Sequence, residues 1–336
     1  RDIFTKNSLK EPTTYDELYK VSKLLKELYP KSTPFSFRYN INNITYYMAR
    51  QWNTGGIAYY NIPNDTFQCG YIEDNFKALI EWLRKMYSEQ LIPADFMSLN
   101  TAGWEQLVSN DLTFMCSDNI LRIDTFNSQM RPSYPEFTMA YFTPPKGDVS
   151  TGVNKTLASL DSSGFCVASN SKNLNEALKV MDMFYIPDIA DRLCYGEENV
   201  TYKIVNGKKR YIDGKGEYID IYGVCQIYGL HTVGTYAIID PYSEVGACGA
   251  CDECNEGYER IKNDILPYEP TVNFTGDTMK EVADLETIIN TYAQEMIAKF
   301  ILGTEPMSKW DSYVAEIKKL DSDKLIKYYN DAYKGK

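Results

Sequence analysis

The chain of 336 residues carries 35 Lys and Arg against 46 Asp and Glu, which gives a formal net charge of −11. This acidity, without any long basic run, argues against binding to nucleic acid or to an anionic membrane surface. The length suits two lobes with separate cores, and the content of 44% hydrophobic and 24% charged residues is typical of a soluble globular protein.

The first half of the chain alternates amphipathic helices with short apolar strands. Thr14 and Glu17 have the spacing of a capping box, and the apolar stripe that follows them predicts a helix. That stripe consists of Leu18, Val21, Leu24, Leu25 and Leu28. A second helix is predicted over about 73–89, with Phe76, Leu79, Ile80, Leu83 and Met86 on one face. A third helix near 101–109 leads to a short strand over 112–116.

The second half combines short strands, a hairpin and long helices. Apolar strands are predicted over 140–145 and 164–168, and two turn signals, Asn206-Gly207 and Asp213-Gly214, predict a hairpin or meander. Further helices are predicted over about 174–184, 279–301 and 322–333, and the second of these ends at Gly303. Ser308 is predicted to cap one more helix, which carries Trp310. The alternation of strands and helices indicates an α/β architecture.

The stretch TFMCSDNILRIDTFN, residues 113–127, predicts a strand that turns directly into a helix. Ser117, Asp118 and Asn119 at the turn are all good helix N-caps. In one interpretation Ser117 or Asn119 caps the helix, so that Asp118 and Arg122 are left to bind a polar ligand. In the other, Asp118 is itself the cap and Arg122 is its solvated partner. A phosphate is disfavoured, because Asp118 would repel it and the turn lacks glycine.

Catalytic motifs are almost absent from the sequence. The single histidine, His231, lies in an apolar run and is interpreted as a packed residue, since catalysis would need a partner acid or base. The sequence contains no GxSxG, GxxxxGK[ST], GxGxxG or HExxH pattern. Paired carboxylates are plentiful among 46 acids, so a glycoside hydrolase stays open as an alternative.

Three of the eight cysteines cluster in CGACDEC. Cys248, Cys251 and Cys254 are weak candidates for zinc or iron–sulfur ligands, because no fourth ligand is adjacent. Disulfides or free thiols are the competing interpretation and the one we favour, so no metal and no cofactor is predicted. Cys116 and Cys166 lie in apolar strand-like runs and are expected to be buried free thiols.

Several stretches together resemble the extracellular solute-binding proteins of family 1, the maltose-binding-protein class that serves ABC importers, and in particular their lipoprotein subgroup. The order of these stretches over nearly the whole chain carries the resemblance, since no single one is diagnostic. They are LKEPTTYDELYKVSKLLKELYP, IEDNFKALIEWLRKMYSEQLIPADF, LVSNDLTFMCSDN, SSGFCVASNSKNLNEALKVMDMFY and TYAQEMIAKFILGTEPMSKWDSYVAEIKKL.

The resemblance implies a periplasmic-binding-protein-like, type II fold of two lobes. Residues 1–155 and 266–336 would form the second lobe, 156–200 would return toward the first lobe, and 201–265 would be an irregular insertion that contains CGACDEC. Family members carry over a hundred residues before the Thr-Thr-Tyr-Asp-Glu helix, whereas about ten precede it here. We therefore expect the N-terminal part of the first lobe to be missing from this chain.

The resemblance also implies a function outside the cell. The expected protein is a non-catalytic monomer that captures a polar solute, above all an oligosaccharide, for the membrane subunits of an ABC importer. In the full-length protein it would be held at the cell surface by a lipid anchor. A peptide-binding protein of the same fold, a carbohydrate-active enzyme and a metal or redox module centred on CGACDEC are the alternatives.

Aromatic residues are the expected ligand contacts, and 28 Tyr against 14 Phe and 4 Trp make tyrosine unusually abundant. In the resemblance, the stretch ITYYMARQWNTGG faces the cleft between the lobes. Trp52 is therefore predicted to contact the ligand, with Tyr46 or Tyr47 pointing the same way. The alternative is that these rings belong to the core of a lobe. Asp118, Asn119 and Arg122 would bind sugar hydroxyls.

Overall fold

A computed structural model describes residues 1–38, 40–149, 166–230 and 251–335. Its α-helices are α1 (Asp2–Lys6), α2 (Tyr15–Leu28), α3 (Asn40–Asn42), α4 (Ala49–Gln51), α5 (Asp74–Ser88), α6 (Thr101–Ser109), α7 (Arg122–Met130), α8 (Leu174–Met183), α9 (Pro187–Tyr195), α10 (Ile221–Tyr228), α11 (Asp252–Ile261), α12 (Gly276–Leu302), α13 (Trp310–Lys319) and α14 (Ser322–Tyr333). Its strands are β1 (Phe35–Phe37), β2 (Tyr59–Asn61), β3 (Thr66–Gln68), β4 (Met115–Ser117), β5 (Tyr202–Val205) and β6 (Lys208–Tyr211).

Contacts divide the described residues into two compact units. The larger unit contains 9–118, 143–149 and the described residues from 264 onward, and the smaller unit contains 1–8, 119–142 and the described residues from 166 to 263. This division separates 119–142 from the rest of the range 1–155. The assignment of the ranges 1–155, 156–200, 201–265 and 266–336 to particular lobes stays a prediction.

The core of the larger unit is built by the amphipathic helices that the sequence predicts. The apolar face of α5 is fully buried and packs against α12, as predicted for Phe76, Leu79, Ile80, Leu83 and Met86. Thr14 caps α2 by accepting a hydrogen bond from the Glu17 backbone N–H at 3.1 Å. Leu18 and Leu25 of α2 are buried, whereas Leu24 and Leu28 are exposed, so only part of the predicted stripe faces the core.

A parallel pair of short strands runs through this core. β1 pairs with β4 in the register Phe35–Met115, Ser36–Cys116 and Phe37–Ser117. The buried Ser36 hydroxyl accepts hydrogen bonds from the Trp104 indole at 3.1 Å and from the Thr113 hydroxyl at 3.0 Å. These side-chain bonds satisfy polar atoms away from water and hold α6 against the strands.

The C-terminal helices α12, α13 and α14 pack against one another and α12 joins them to α5. Gly303 ends α12 with a φ of 80°, a left-handed conformation that favours glycine. The prediction that Ser308 caps the next helix is wrong. Residues Met307–Lys309 form a 3-10 turn, and α13 begins at Trp310 without a side-chain cap. The turn already satisfies the first backbone donors, as 3-10 turns at helix ends do.

The described residues of 201–265 carry regular structure, so the expectation of an irregular insertion is wrong for them. β5 and β6 form the predicted hairpin across Asn206-Gly207. Tyr195, Tyr202 and Tyr211 pack there in a small core, in which the Tyr211 hydroxyl donates to the Cys194 carbonyl at 2.9 Å. The three tyrosine rings supply much of the apolar area of this core.

One predicted strand does not form. Residues 140–145 belong to no strand in the described part of the chain, and the isolated bridge between Thr14 and Lys146 comes just after them. Two consecutive prolines in this segment lack the N–H groups that a ladder needs. Residues 166–168 are not in a strand either, and the start of that predicted strand lies outside the described residues. Cys166 is exposed, which corrects the expectation that it is buried, and Cys116 is half-buried.

Candidate functional site

The carboxyl ends of β1 and β4 lie at one edge of the strand pair, because the strands are parallel. Ligands of open α/β sheets bind outside such an edge. Arg38 follows β1 and Asp118 follows β4, and the two side chains form a bidentate ion pair. Arg38 Nε lies 2.7 Å from Asp118 Oδ2, and Arg38 Nη2 lies 2.8 Å from Asp118 Oδ1.

The ion pair between Arg38 and Asp118 is buried, which favours a structural role for it at this edge of the strand pair. The Asp118 side chain is 2% exposed and that of Arg38 is 10% exposed. The guanidinium also lies over the Trp104 ring, 5.9 Å from its centre. Both Asp118 oxygens accept from Arg38, so the carboxylate is already paired at the turn, and its predicted contact with a ligand stays a prediction. Two parallel N–H groups of a guanidinium match the two oxygens of a carboxylate, so a bidentate pair is stronger and more specific in geometry than a single hydrogen bond.

Asn119 and Arg122 belong to the smaller unit, and α7 begins only at Arg122. The Asn119 side-chain oxygen accepts from the Leu121 N–H at 2.9 Å, and its carbonyl accepts from the Arg122 N–H at 3.0 Å. Asn119 therefore organises a turn before the helix instead of capping its first residue. The predicted direct passage from strand to helix is wrong by about one turn, since this local hydrogen bonding competes with the helix.

The chain from Asn40 to Gln51 forms one helical stretch with a π-helix at its centre. Residues Asn43–Met48 are the π-helix, and the Ala49 N–H donates to the Ile44 carbonyl five residues back. From 41 to 52 the stretch is buried apart from Asn42, Tyr46 and Tyr47. We call these three exposed residues the Tyr46 face. π-Helices in proteins are rare and are frequent at functional sites.

The Tyr46 face combines two exposed rings with an amide. Tyr46 is 56% exposed and Tyr47 is 41% exposed. Burying such rings in the core would stabilise the fold by about 25 cal/mol for each Å² of apolar surface, so leaving them exposed has an energetic cost. Exposed rings beside an amide are what a polar ligand with apolar C–H faces requires.

Two tyrosine hydroxyls of the larger unit are hydrogen-bonded to α12. The Tyr71 hydroxyl donates to Asn290 Oδ1 at 2.8 Å, and the Tyr329 hydroxyl donates to the Glu286 carboxylate. Burial, and then the neighbouring Tyr46, raise the pKa of Tyr71 above its usual value. Burial is also the main cause that raises the pKa of Tyr329, with Glu286 and Tyr46 adding to it. α12, which accepts both of these hydrogen bonds, also packs against α3 at the start of the same helical stretch.

Trp52 does not share the exposure of the two tyrosines. Its side chain is 2% exposed and packs against Tyr15, with 5.2 Å between ring centres. Gly147 approaches it so closely that an added Cβ would lie 2.4 Å from Trp52 Cδ2. The expectation that Trp52 points the same way as Tyr46 is wrong. The prediction assumed that side chains alternate as they do in a strand, whereas this stretch is helical and its side chains point around the helix axis.

Glu73 lies at a second cluster of polar groups in the larger unit. It lines a cavity of about 300 Å³ together with Gln68, Cys69, Ile72, Asp323 and Ile326. Burial raises its pKa, while hydrogen bonds from Thr54 at 2.6 Å and Tyr59 at 2.9 Å favour its ionised form. Since neighbouring hydroxyls already occupy both carboxylate oxygens, we assign Glu73 a structural role.

The cysteines of CGACDEC that the structure describes are buried thiols. Cys251 and Cys254 pack with Ile123 and Tyr258, and the Cys251 backbone N–H donates to Asp124 at 2.8 Å. Burial raises the pKa of the Cys251 thiol to about 12 and raises that of Cys254 as well. Cys248 and His231 lie outside the described residues.

The described residues contain no group of three or more His, Cys, Asp or Glu side chains that could hold a metal ion. In the same parts of the chain, no helix is both long enough and apolar enough to cross a membrane.

The chain has the α/β fold of two-lobe solute-binding proteins, which confirms the predicted fold class. The alginate-binding protein AlgQ2 without calcium ion matches 99% of this chain and 70% of its own length, at a TM-score of 0.74 and 22% identity. A second match is the ABC-transporter substrate-binding protein FusA of Streptococcus pneumoniae, an EF-hand mutant in complex with fructo-nystose. It covers 100% of this chain and 70% of its own length, with a TM-score of 0.67 and 16% sequence identity.

A third solved structure has the same fold. The HMO-binding, ABC-transporter-associated solute-binding protein of Bifidobacterium longum infantis matches 99% of this chain and 72% of its own length, with a TM-score of 0.64 and 17% identity. No protein-family model matches the sequence, and no curated protein matches it either. At these identities the solved structures establish the fold of the chain.

Proposed function

We propose that this chain is a non-catalytic binding protein that captures an oligosaccharide for an ABC importer. The observation that carries the proposal is the match of almost the whole chain to substrate-binding proteins whose names specify sugars: alginate, fructo-nystose and HMO. The Tyr46 face supports it, because rings that stack on sugar C–H surfaces lie beside an amide that can bond to hydroxyls.

The proposed ligand contacts in the larger unit are Tyr46 and Tyr47, which are exposed. Asn119 and Arg122 lie in the smaller unit and stay predicted contacts, and Arg122 is buried. The burial of Trp52 and Asp118 favours structural roles for these two residues. Asp118 would then act indirectly, through the orientation of Arg38 at the strand edge. The protein would work outside the cell as a monomer, lipid-anchored in its full-length form and in contact with the importer's membrane subunits.

A ligand panel tests this function. A ligand that binds only the native state raises apparent stability by mass action, so we expect one or more oligosaccharides to raise the melting temperature. Calorimetric titration of each positive compound should give saturable binding, and chromatography should show the sugar unchanged after long incubation. Release of shorter sugars would favour a glycoside hydrolase. Stabilisation by peptides alone would favour the peptide-binding alternative and contradict the sugar proposal.

A further inference from the structure

We propose that the Tyr46 face selects neutral oligosaccharides and rejects those that carry uronate groups. This inference rests on the proposed sugar-binding function and adds the chemical class of the ligand. It concerns the larger unit alone, and its evidence is the charge on α12, which packs against α3, and on α14, which packs against α12.

Carboxylates dominate the helices next to the Tyr46 face. α12 packs against both α3 and α14. Together α12 and α14 carry seven Asp and Glu residues and four Lys residues. The part of α12 nearest its N-terminus is the most acidic, since Asp277, Glu281, Asp284 and Glu286 stand against Lys280 alone. A uronate placed here would meet an excess of like charge.

Intramolecular ion pairs already engage the lysines of α14. Lys324 pairs with Glu281, and Lys327 pairs with Asp331. Glu281 also accepts a hydrogen bond from the Tyr328 hydroxyl at 2.6 Å. A uronate would have to compete with these carboxylates for each ammonium group, whereas a neutral sugar needs none of them.

Two acceptors on α12, Glu286 and Asn290, are suited to uncharged hydroxyls. Glu286 accepts from the Tyr329 hydroxyl and Asn290 accepts from the Tyr71 hydroxyl. A carboxylate or amide oxygen can accept a second hydrogen bond from a sugar hydroxyl, but a uronate oxygen offers no proton to donate. Juxtaposed like charges across an interface disfavour the wrong partner.

Matched neutral and oxidised sugars test the proposal. The probes are β-1,4-mannose hexamers, fructan oligomers and starch-derived glucose oligomers, each also after oxidation of its primary C6 hydroxyls to carboxylates. For the sugar that binds best, we expect the neutral form to bind at least about tenfold more tightly, with a smaller ratio at high salt because screening weakens charge repulsion. An oxidised form that binds as tightly as its neutral parent, or more tightly, overturns the proposal.

The outcomes separate this inference from the proposed function. Binding of uronates alone would leave the sugar-binding function standing and remove the selection for neutral ligands. A panel in which no sugar binds would contradict both.

Three variants locate the effect on this face. Tyr46→Ala and Tyr47→Ala should each weaken binding of the neutral sugar, and Glu286→Gln should narrow the ratio between neutral and oxidised sugar. Tyr134→Ala, at an equally exposed tyrosine in the smaller unit, is the matched control and should leave the ratio unchanged. Melting temperatures close to that of the unsubstituted chain show that each variant is folded. An unchanged ratio in folded Glu286→Gln would remove α12 as the source of selection.

Discussion

The ion pair between Arg38 and Asp118 reverses what the sequence predicts for one substitution. If Asp118 only capped a helix or bound a ligand, Asp118→Asn would keep most of the stability, since Asn caps as well as Asp. In the structure, Asn would replace the carboxylate that forms two bonds with the buried Arg38 guanidinium. We expect Asp118→Asn to lower the free energy of unfolding by ~3–5 kcal/mol, as measured by urea denaturation.

An exposed pair provides the control for this prediction. Asp16 and Lys20 are 2.5 Å apart on the surface of α2. Asp16→Asn should cost only ~0–1 kcal/mol, because water screens an exposed pair. Equal small losses in both variants would show that the Arg38–Asp118 pair does not stabilise the larger unit.

Trp52 tests whether a predicted ligand contact is a core residue. Trp52→Ala should lower the free energy of unfolding by ~3–5 kcal/mol, since its ring fills the space between Tyr15 and Gly147. Tyr47→Ala should change stability by only ~0.5 kcal/mol, because the ring is exposed. Denaturation and sugar titration of both variants separate the two roles. If the Trp52→Ala protein is as stable as the unsubstituted chain but no longer binds sugar, Trp52 is a ligand contact and the prediction is wrong.

Glu73 gives the larger unit a pH dependence with a definite sign. Burial raises its pKa in the folded protein above the value in the unfolded chain. The folded state therefore holds the proton more tightly, and this contribution to stability is present at low pH and is lost as the pH rises through the folded pKa. Relative to Glu73→Gln, the unsubstituted chain should lose stability between acidic and neutral pH. Parallel stability curves for the two proteins would contradict the raised pKa.

At the scale of elements, α2 shows how a local signal starts a helix. The Thr14 hydroxyl accepts from the Glu17 N–H, and the Glu17 carboxylate accepts from the Thr13 N–H at 2.7 Å. Thr14→Ala should lower the free energy of unfolding by ~0.5–2 kcal/mol, as a lost cap does. Thr14→Ser keeps the hydroxyl and should stay near the unsubstituted value in the same denaturation experiment. Equal losses for Ala and Ser would assign the effect to packing of the Thr14 methyl group.

At the scale of the whole molecule, the cysteines report on the cores of both units. Cys69 in the larger unit and Cys194, Cys251 and Cys254 in the smaller unit are buried, whereas Cys166 is exposed. Iodoacetamide reacts with exposed thiolates, so native protein at pH 8 should be labelled first at Cys166. Mass spectrometry after unfolding should then find the four buried thiols labelled. If Cys251 and Cys254 react only after reduction, they form the disulfide that the spacing of CGACDEC allows.

The sequence by itself determined the helices and the fold class. α2, α5, α6, α8, α12 and α14 lie within a few residues of their predicted ranges, because caps and helical periodicity are local signals that need no distant partner. The resemblance over the whole chain led to the solute-binding fold for a similar reason, since it rests on the order of such segments.

Only the tertiary structure decided what the polar and aromatic residues of the site do. Arg38 lies 80 residues from Asp118, and no local pattern pairs them. The burial of Trp52 and the exposure of Tyr46 depend on a π-helix that shifts the helical phase and on Gly147 from a distant segment. Burial and long-range pairing are properties of the packed chain. A sequence pattern can therefore place a residue on a helix without deciding whether that side chain meets the core or a ligand.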